Sequence, residues 1–295
     1  MQEQQRERVI DLMRDGQMRL IATFEALDGA GQFVGKRWER PGGGGGSAQV
    51  LADGGVFEKA GINTSAVYGE RTPASLWQAH PRTQGQPYFA TGVSMVLHPN
   101  NPYVPAFHAN FRYFESGGDS WFGGGMDMTP SYAFAEDAQH FHRTLHAYCV
   151  KHSADYPLLK KTCDDYFYIK HRKEMRGIGG IFFDEIDLGS FERNYAFVCA
   201  GIEAIIDAYV PVAQRRKDMV FGEREKHWQH IRRGRYAEFN LVYDRGTAFG
   251  LQTDGNIEAI LMSLPPVARW QFDYVPQPGS PEAETLHFLQ PRSWI

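Results

Sequence analysis

The sequence predicts an α+β protein built around a mostly antiparallel sheet of six or seven strands. Two segments, 92–98 and 107–114, alternate between apolar and polar residues, which is the pattern of strands with one buried face. Long helical patterns lie elsewhere in the chain, at 5–28 and 190–217 for example. Because strands and helices are segregated rather than strictly alternating, an antiparallel sheet is favoured over a parallel one.

The chain begins with an amphipathic helix, predicted over 5–28. Its apolar residues share one side: Val9, Leu12, Met13, Leu20, Ile21 and Phe24. Five glycines at 42–46 follow, and such a run favours neither a helix nor a stable strand. We therefore predict a loop there, either a flexible surface loop or one whose backbone N–H groups close over an anion. It matches neither a Walker A loop nor a dinucleotide fingerprint.

The two alternating segments are expected to pair across the connection 99–106, with one apolar and one polar face. A third strand-like segment, 121–127, follows a turn at 117–120. Farther along, we predict helices at 135–152, 155–175, 190–217 and 221–232, and strands at 178–183, 235–243, 246–253 and 256–264. Ser280 and Pro281 are typical of a helix start, so a final helix is expected there.

Composition excludes several classes of protein. The 295 residues carry 31 Lys and Arg against 35 Asp and Glu, a net charge of −4 that does not suit a nucleic-acid binder. Three scattered cysteines suit neither a disulfide framework nor a zinc site. The N-terminus is charged throughout, which does not suit a signal peptide. The apolar stretch 197–213 is too short to span a membrane. We expect one cytoplasmic domain, residues 1–295.

The polar face of the two alternating strands is the first candidate site. It carries Ser94, His98, His108, Asn110 and Arg112. If this face is covered, the arginine needs an anionic partner, which indicates a floor that binds carboxylate or phosphate. The alternative is a face exposed to solvent.

Asp127 and the basic run near Arg176 are further candidates. Three glycines precede Asp127, so a ligand can approach the backbone closely there, although the aspartate could instead only cap a turn. Arg176 ends a basic run next to a glycine-rich turn, where it either reaches a site or lies in solvent. His142 and His146 have the i, i+4 spacing of two metal ligands on one helix face, but surface histidines show the same spacing.

Several of these segments resemble the oxygen-dependent coproporphyrinogen III oxidase family. The resemblance covers the chain from about residue 6 to Trp294, and four stretches carry it: GVSMVLHPNNPYVPAFHANFRYF, WFGGGMDMTPSY, DDYFYIKHRKEMRGIGGIFFDE and GRYAEFNLVYDRGTAFGLQTDGNIEAILMSLPP. The radical enzyme for the same step would need a cysteine cluster, which three isolated cysteines do not supply.

The resemblance implies a fold and an activity. The fold is a flat antiparallel sheet of about seven strands with helices on both faces, in a homodimer associating through about 236–271. The activity is oxidative decarboxylation of two propionates of coproporphyrinogen III to vinyl groups, giving protoporphyrinogen IX in haem biosynthesis. O2 is the co-substrate, CO2 and H2O2 are released, and no organic cofactor, nucleic acid or membrane span is implied.

The resemblance also assigns roles to individual residues. His108 is similar to the family's proposed proton donor, and Asp127 and Arg176 match residues implicated at the tetrapyrrole. The implied catalytic residues are His108, Asp127 and Arg112. The implied substrate contacts are Ser94, Asn110, Phe111, Arg112, Arg176, Asp254, Gly255 and Asn256. The implied ligands of a divalent metal are His98, His108, His142 and His171. Asp254-Gly255-Asn256 departs from the Gly-Gly-Arg of some members, so a cation expected near the substrate is missing.

The residues themselves agree with this family while leaving alternatives open. A substrate with four carboxylates suits arginines and backbone N–H groups, and a carboxylate such as Asp127 can accept the N–H groups of a tetrapyrrole. The need for a metal stays open, because no compact ligand motif is present. A histidine-liganded metal oxygenase or hydrolase and a non-catalytic tetrapyrrole carrier are the two alternative functions.

Overall fold

The computed structural model describes residues 2–40, 42–252 and 255–295. Seven strands form one sheet in the order β1-β2-β3-β4-β5-β6-β9, and every neighbouring pair is antiparallel. Its strands are β1 (Val34–Glu39), β2 (Gly44–Ala52), β3 (Phe57–Gly69), β4 (Tyr88–Pro99), β5 (Ala106–Ser116), β6 (Asp119–Thr129) and β9 (Gly180–Ile186). The predicted α+β class and the antiparallel sheet are confirmed.

Eight helices and a small hairpin are the other main elements of the described residues. The helices are α1 (Gln2–Asp28), α2 (Ala135–Lys151), α3 (Tyr156–Tyr166), α4 (Phe191–Arg216), α5 (Glu223–Val242), α6 (Arg245–Gln252), α7 (Ile257–Leu261) and α8 (Pro281–Phe288). The hairpin is formed by β7 (Tyr168–Ile169) and β8 (Glu174–Met175). Short 3-10 turns at Ala74–Leu76 and Pro81–Thr83 lie before β4.

One face of the sheet, the apolar face, holds the main core. Helices α1, α2 and α4 cover it, and Phe107 of β5 packs on Phe141 of α2 and Tyr209 of α4. The ring of Phe111 lies so close to Gly201 of α4 that a Cβ there would be 2.3 Å from it. The alternation of β4 and β5 sends their apolar residues to this side, which fixes the register of the sheet.

The opposite, polar face is covered at its edges. Helix α5 places Tyr236 against His98 of β4, and α7 accepts a hydrogen bond from Asn63 Nδ2 at the Ala259 carbonyl, 2.6 Å away. The β7–β8 hairpin and the end of α3 pack on the β9 side of this face. Between these elements the middle of β4 and β5 is open, since Ser94 is exposed.

The strands predicted at 235–243, 246–253 and 256–264 are wrong, because the described residues of this region form helices α5, α6 and α7. In α5 the buried residues Tyr236, Phe239 and Asn240 recur at helical spacing. Helices α6 and α7 begin at side-chain caps: Asp244 Oδ2 accepts from Thr247 N at 2.7 Å, and Asn256 Oδ1 from Ala259 N at 3.1 Å.

Three of the strands that the sequence missed, β1, β2 and β3, lie at the start of the chain, and two more, β7 and β8, lie within the predicted helix 155–175. Part of the glycine run at 42–46, predicted as a loop, belongs to β2, where the neighbouring strands approach closely. A Cβ on Gly44 would lie 2.1 Å from the Ala66 carbonyl oxygen, and one on Gly45 2.1 Å from that of Trp38. Only glycine fits there, so the run belongs in a strand despite its low propensity. The helix predicted at 155–175 ends at Tyr166.

Helix α4 has the length and composition of a membrane-crossing helix, with a mean hydropathy of 1.7. A long core helix passes the same test, and more than half of the α4 window, 56%, is buried inside the protein. Its apolar residues pack on the sheet and on α1, where Tyr209 meets Phe24 edge to face. The apolar character of α4 is therefore explained by the core.

Candidate active site

The polar residues predicted on β4 and β5 do share one face of the sheet. We call the open part of that face the polar floor, made of Gly92 and Ser94 of β4, His108, Asn110 and Arg112 of β5, and Gly123 and Gly125 of β6. The register sets His108 opposite Asp127 and Val96, Asn110 opposite Ser94 and Gly125, and Arg112 opposite Gly92 and Gly123. Because glycines and a serine flank the longer side chains, the floor is shallow and flat.

A buried carboxylate orients His108. The His108 Nδ1 atom lies 2.9 Å from Asp127 Oδ1, and the Asp127 side chain is only 1% exposed. Since an ionised carboxylate only accepts hydrogen bonds, Nδ1 carries the proton. The Nε2 atom of His108 is then unprotonated and accepts a long hydrogen bond, 3.4 Å, from Asn110 Nδ2 on the floor.

Arg176 holds the other side of that carboxylate. Its Nη2 atom donates to both oxygens of Asp127 at 2.8 Å, and its Nη1 donates to Asn240 Oδ1 at 2.7 Å. Three rings enclose the guanidinium, with centres 4.1 to 4.8 Å from Cζ: Phe167, Tyr236 and Phe239. Arg176 is therefore fixed by charge, hydrogen bonds and cation–π contacts together.

Charge compensation keeps Asp127 ionised although it is buried. Burial by itself raises the pKa of this carboxyl, but the Arg176 guanidinium and the hydrogen bond from His108 outweigh it. The resulting pKa lies below the usual range of aspartate, so the side chain is a carboxylate at neutral pH. Asp127, His108 and Arg176 thus form a preorganised unit beneath the floor.

A second group of charges lies along the floor beside this unit. Arg112 Nη1 donates to Asn110 Oδ1 at 2.9 Å, and its Nη2 donates to Asp184 Oδ1 at 3.1 Å. Arg245, at the start of α6, donates to both oxygens of Asp184 at 3.1 and 2.9 Å. The sequence suggested a buried partner for Arg112, but its side chain is 40% exposed and that of Asp184 is 50% exposed.

Not all predicted substrate contacts reach the floor. Ser94, Asn110 and Arg112 do, whereas the side chain of Phe111 is fully buried on the apolar face, against Phe183. Alternation along β5 sends residue 111 to the side opposite residues 110 and 112. Asp127 and Arg176 are beneath the floor rather than on it, at 1% and 2% exposure, so in this conformation neither touches a ligand on the floor.

The predicted contacts at 254–256 lie between α6 and α7. Asp254 lies outside the described residues. The Gly255 amide donates to the Gly250 carbonyl, and the Asn256 side chain caps α7. The Asn256 side chain is therefore the N-cap of α7.

The four histidines predicted to bind a metal do not come together. His98 is buried, with Nε2 donating to the Ser263 carbonyl, and His142 is buried between the Tyr156 hydroxyl and the Ile178 carbonyl. His171 contacts Tyr243 and Glu238. No group of three or more His, Cys, Asp or Glu side chains suited to a metal occurs in the described ranges, because these histidines lie on separate elements. The predicted ligand set does not fit a single ion here.

Sequence reasoning missed three residues that complete the site: Asp184, Asn240 and Arg245. Asn240 and Arg245 lie in the region predicted as strands, and Asp184 lies just beyond the predicted strand 178–183. The segment Asp244-Arg245-Gly246-Thr247 does contain a signal, because Asp is a preferred N-cap residue and Asp244 caps α6 by accepting from Thr247.

Comparison with known protein families places these residues in context. A family model described as coproporphyrinogen III oxidase matches residues 8–294, a range that includes every residue of the polar floor and of the charged groups beside it.

Proposed function

The chain belongs to the coproporphyrinogen III oxidase family, enzymes of haem biosynthesis, and we propose that it catalyses the oxygen-dependent form of that reaction. Each of two propionates, R–CH2–CH2–COO⁻, becomes R–CH=CH2 and CO2. The hydride equivalent lost from the CH2 group next to the ring reduces O2, with one proton, to H2O2. The product is protoporphyrinogen IX.

The observation that carries this proposal is His108 on the open floor, with Nδ1 held by a buried carboxylate and with Nε2 unprotonated and accepting only a long hydrogen bond from Asn110 Nδ2. A base in this state can take a pyrrole N–H proton, and the deprotonated ring is rich enough in electrons to reduce O2. When the ring has given an electron pair to O2, the CH2 group next to the ring loses a C–H proton, so that the two protons needed to form H2O2 come from this group and from solvent. Loss of CO2 from the propionate then returns an electron pair to the ring and forms the vinyl double bond, and the pyrrole nitrogen takes its proton back from His108. The flat floor suits a flat macrocycle, and Ser94 and Asn110 offer polar contacts to it.

The role that fits Asp127 is to position His108. It fixes the tautomer and ring orientation of His108, and its charge stabilises the imidazolium that forms when His108 accepts a proton. Arg176 keeps Asp127 ionised in turn. This assignment differs from direct contact between Asp127 and the pyrrole N–H groups, which the burial of Asp127 does not favour.

The arginines of the floor suit the substrate's carboxylates. Arg112 and Arg245 present guanidinium groups to solvent near His108's side of the sheet, and a guanidinium binds a carboxylate through two parallel hydrogen bonds. A propionate anchored there would place the ring over the floor. We propose that O2 is the acceptor and that the reaction uses no organic cofactor. No step here is assigned to a metal, because the predicted histidine ligands do not share a site.

We also propose that the protein is a homodimer. Exposed apolar side chains cluster in and directly after the sequence range 236–271 that the family resemblance ties to association: Leu241, Val242, Leu251, Ile257, Val267, Trp270 and, just after the range, Phe272. Large exposed apolar residues so concentrated are typical of an interface with another chain.

The proposal is tested by mixing the enzyme with coproporphyrinogen III without oxygen and then admitting O2. We expect CO2 release and H2O2 formation only after O2 is admitted, and His108→Ala should slow both strongly. His146→Ala, which removes an exposed histidine of α2, is the matched control and should behave as wild type. CO2 release in the absence of O2, or binding without any CO2 release, would contradict the proposal.

A further inference from the structure

Asp184 is a carboxylate of the protein itself, held between two arginines at the edge of the polar floor. Within the described residues its side-chain hydrogen bonds go to Arg112 and Arg245. Both oxygens are engaged, at 2.9 to 3.1 Å, in the way that two guanidinium groups bind any carboxylate. Half of the Asp184 side chain is nevertheless exposed, so the group is accessible from solvent.

We propose that Asp184 is an internal competitor of the substrate: it occupies the carboxylate position between Arg112 and Arg245, and an incoming propionate displaces it. This inference rests on the proposed function, because it takes the ligand of the floor to be a polycarboxylate. It makes Asp184 a specificity-determining residue, since only a ligand that replaces its charge leaves both arginines paired.

The two arginines have other contacts that keep them in place when Asp184 leaves. Arg112 is also bonded to Asn110 and lies against Gly123, where a Cβ would be 2.7 Å from its Cζ. The Arg245 guanidinium lies over the Tyr166 ring, 4.7 Å from its centre. The side-chain hydrogen bonds of Asp184 go only to these two arginines within the described residues, and its half-exposed carboxylate can turn into water. The site is therefore preformed, and exchange of one carboxylate for another requires movement of Asp184 alone.

The exchange also distinguishes charged ligands from uncharged analogues. A neutral ester has no negative charge to pair with the two guanidinium groups. When it binds, either Asp184 stays in place or the two arginines are left without an ionic partner. A free propionate reproduces the pairing that it displaces. The competitor thus lowers the affinity for a carboxylate, which must displace it, and leaves the affinity for an ester that binds with Asp184 in place nearly unchanged.

The test is a titration with coproporphyrin III, the oxidised and unreactive tetracarboxylate, followed by its fluorescence, with its tetramethyl ester as the neutral probe. We expect Asp184→Asn to bind the acid about 3- to 10-fold more tightly than wild type does, with little change for the ester. Glu185→Gln removes the same negative charge one residue away and serves as the matched control. If the acid bound more tightly only because the protein repels its carboxylates less, the same tightening would appear in this variant. Its affinity should stay near that of wild type.

Two further variants make the result decisive. Asp184→Glu keeps a carboxylate and should bind nearly as wild type, and in an Arg245→Gln background Asp184→Asn should lose most of its effect. Weaker or unchanged binding of the acid by a folded Asp184→Asn protein, checked by its melting temperature, would overturn the inference, as would equal tightening in Glu185→Gln. Because coproporphyrin III does not react, its binding can be measured whether or not the oxidase assay succeeds. A failure of this inference can therefore be told apart from a failure of the proposed function.

Discussion

At the scale of single residues, the site depends on one buried ion pair rather than on many contacts. Asp127 and Arg176 are both almost fully buried, and His108 is the member of the unit that reaches the floor. A buried pair costs desolvation energy, and removal of one partner leaves the other charge unpaired. Substitutions at these residues should therefore affect both stability and catalysis. The two effects can be separated by comparing a variant that lacks one charge with a variant that lacks both.

We expect Asp127→Asn to lower kcat about 10²-fold, because the lost charge no longer stabilises protonated His108. The free energy of unfolding should also fall by about 3–5 kcal/mol, since Arg176 loses its ionic partner. The measurements are single-turnover CO2 release and urea unfolding on the same sample.

The double variant Asp127→Asn with Arg176→Met controls for the orphaned cation. It should regain a large part of the stability, because no buried charge is left unpaired, while kcat stays low. If the single variant is less stable but turns over at the wild-type rate per folded molecule, Asp127 has only a structural role.

His142 should make stability depend on pH. Burial lowers its pKa to about 3, so it stays neutral in the folded protein while the unfolded chain takes up a proton below about pH 6.5. The unfolded state then binds more protons, so this contribution to stability is lost as the pH falls. Between pH 7 and pH 5 we expect a loss of about 2 kcal/mol from this residue.

The measurement is urea unfolding at pH 7, 6 and 5. His142→Asn should be less stable at pH 7, because contacts with Tyr156 and Ile178 are lost, but its stability should fall less on acidification. His146→Asn, on the same helix and exposed, is the control. Equal pH dependence in His142→Asn and wild type would show that another group is responsible.

At the scale of elements, β6 determines how flat the floor is. Its glycines let β9 and the side chains of β5 approach the strand backbone. A Cβ on Gly123 would lie 2.5 Å from the Asp184 carbonyl oxygen and 2.7 Å from Arg112 Cζ. On the apolar face, a Cβ on Gly124 would instead meet the Asn110 carbonyl oxygen at 2.7 Å. Neighbouring glycines thus serve opposite faces of one strand.

Gly123→Ala should therefore displace Arg112 and raise the KM for coproporphyrinogen III, in addition to destabilising the sheet by about 1–3 kcal/mol. Gly124→Ala is the matched control, because it perturbs the apolar face and should lower the melting temperature without moving Arg112. Steady-state kinetics and thermal melts of both variants make the comparison. A similar KM in the two variants would indicate that Gly123 matters only for packing.

At the scale of the whole molecule, the exposed apolar residues after α5 predict association. Phe272 is 98% exposed and Trp270 is 57% exposed, and they lie close in sequence to Ile257 and Val267. Sedimentation at micromolar concentration should show particles of twice the 33.5 kDa chain mass. Phe272→Asp should shift the distribution toward the single chain, since a charge cannot be buried unpaired in an apolar contact.

Val220→Asp is the control for that experiment. Val220 is 93% exposed but lies before α5, whereas Phe272 directly follows the range 236–271, so the Val220 variant should associate as wild type does. A wild-type protein that sediments as 33.5 kDa particles would contradict the proposed dimer.

The sequence by itself determined the strands β4, β5 and β6, the long helices α1 and α4, and the residue types of the floor. These depend on local patterns, because alternation along β5 places His108, Asn110 and Arg112 on one face whatever the rest of the chain does. The tertiary structure decided which of them are paired. Asp127 and Arg176 are 49 positions apart, and Arg112 and Asp184 are 72 apart, so no local spacing could reveal either contact.

The same distinction explains the errors in the region 235–264. A short apolar run is compatible with a strand and with a buried helix, and in this region packing against the polar face stabilises the helix. That choice brought Asn240 to Arg176 and Arg245 to Asp184. The glycines of β2 were misassigned for a related reason, because only the approach of β1 and β3 makes glycine necessary there. Local pattern determined which residues could act, and long-range packing determined which of them meet.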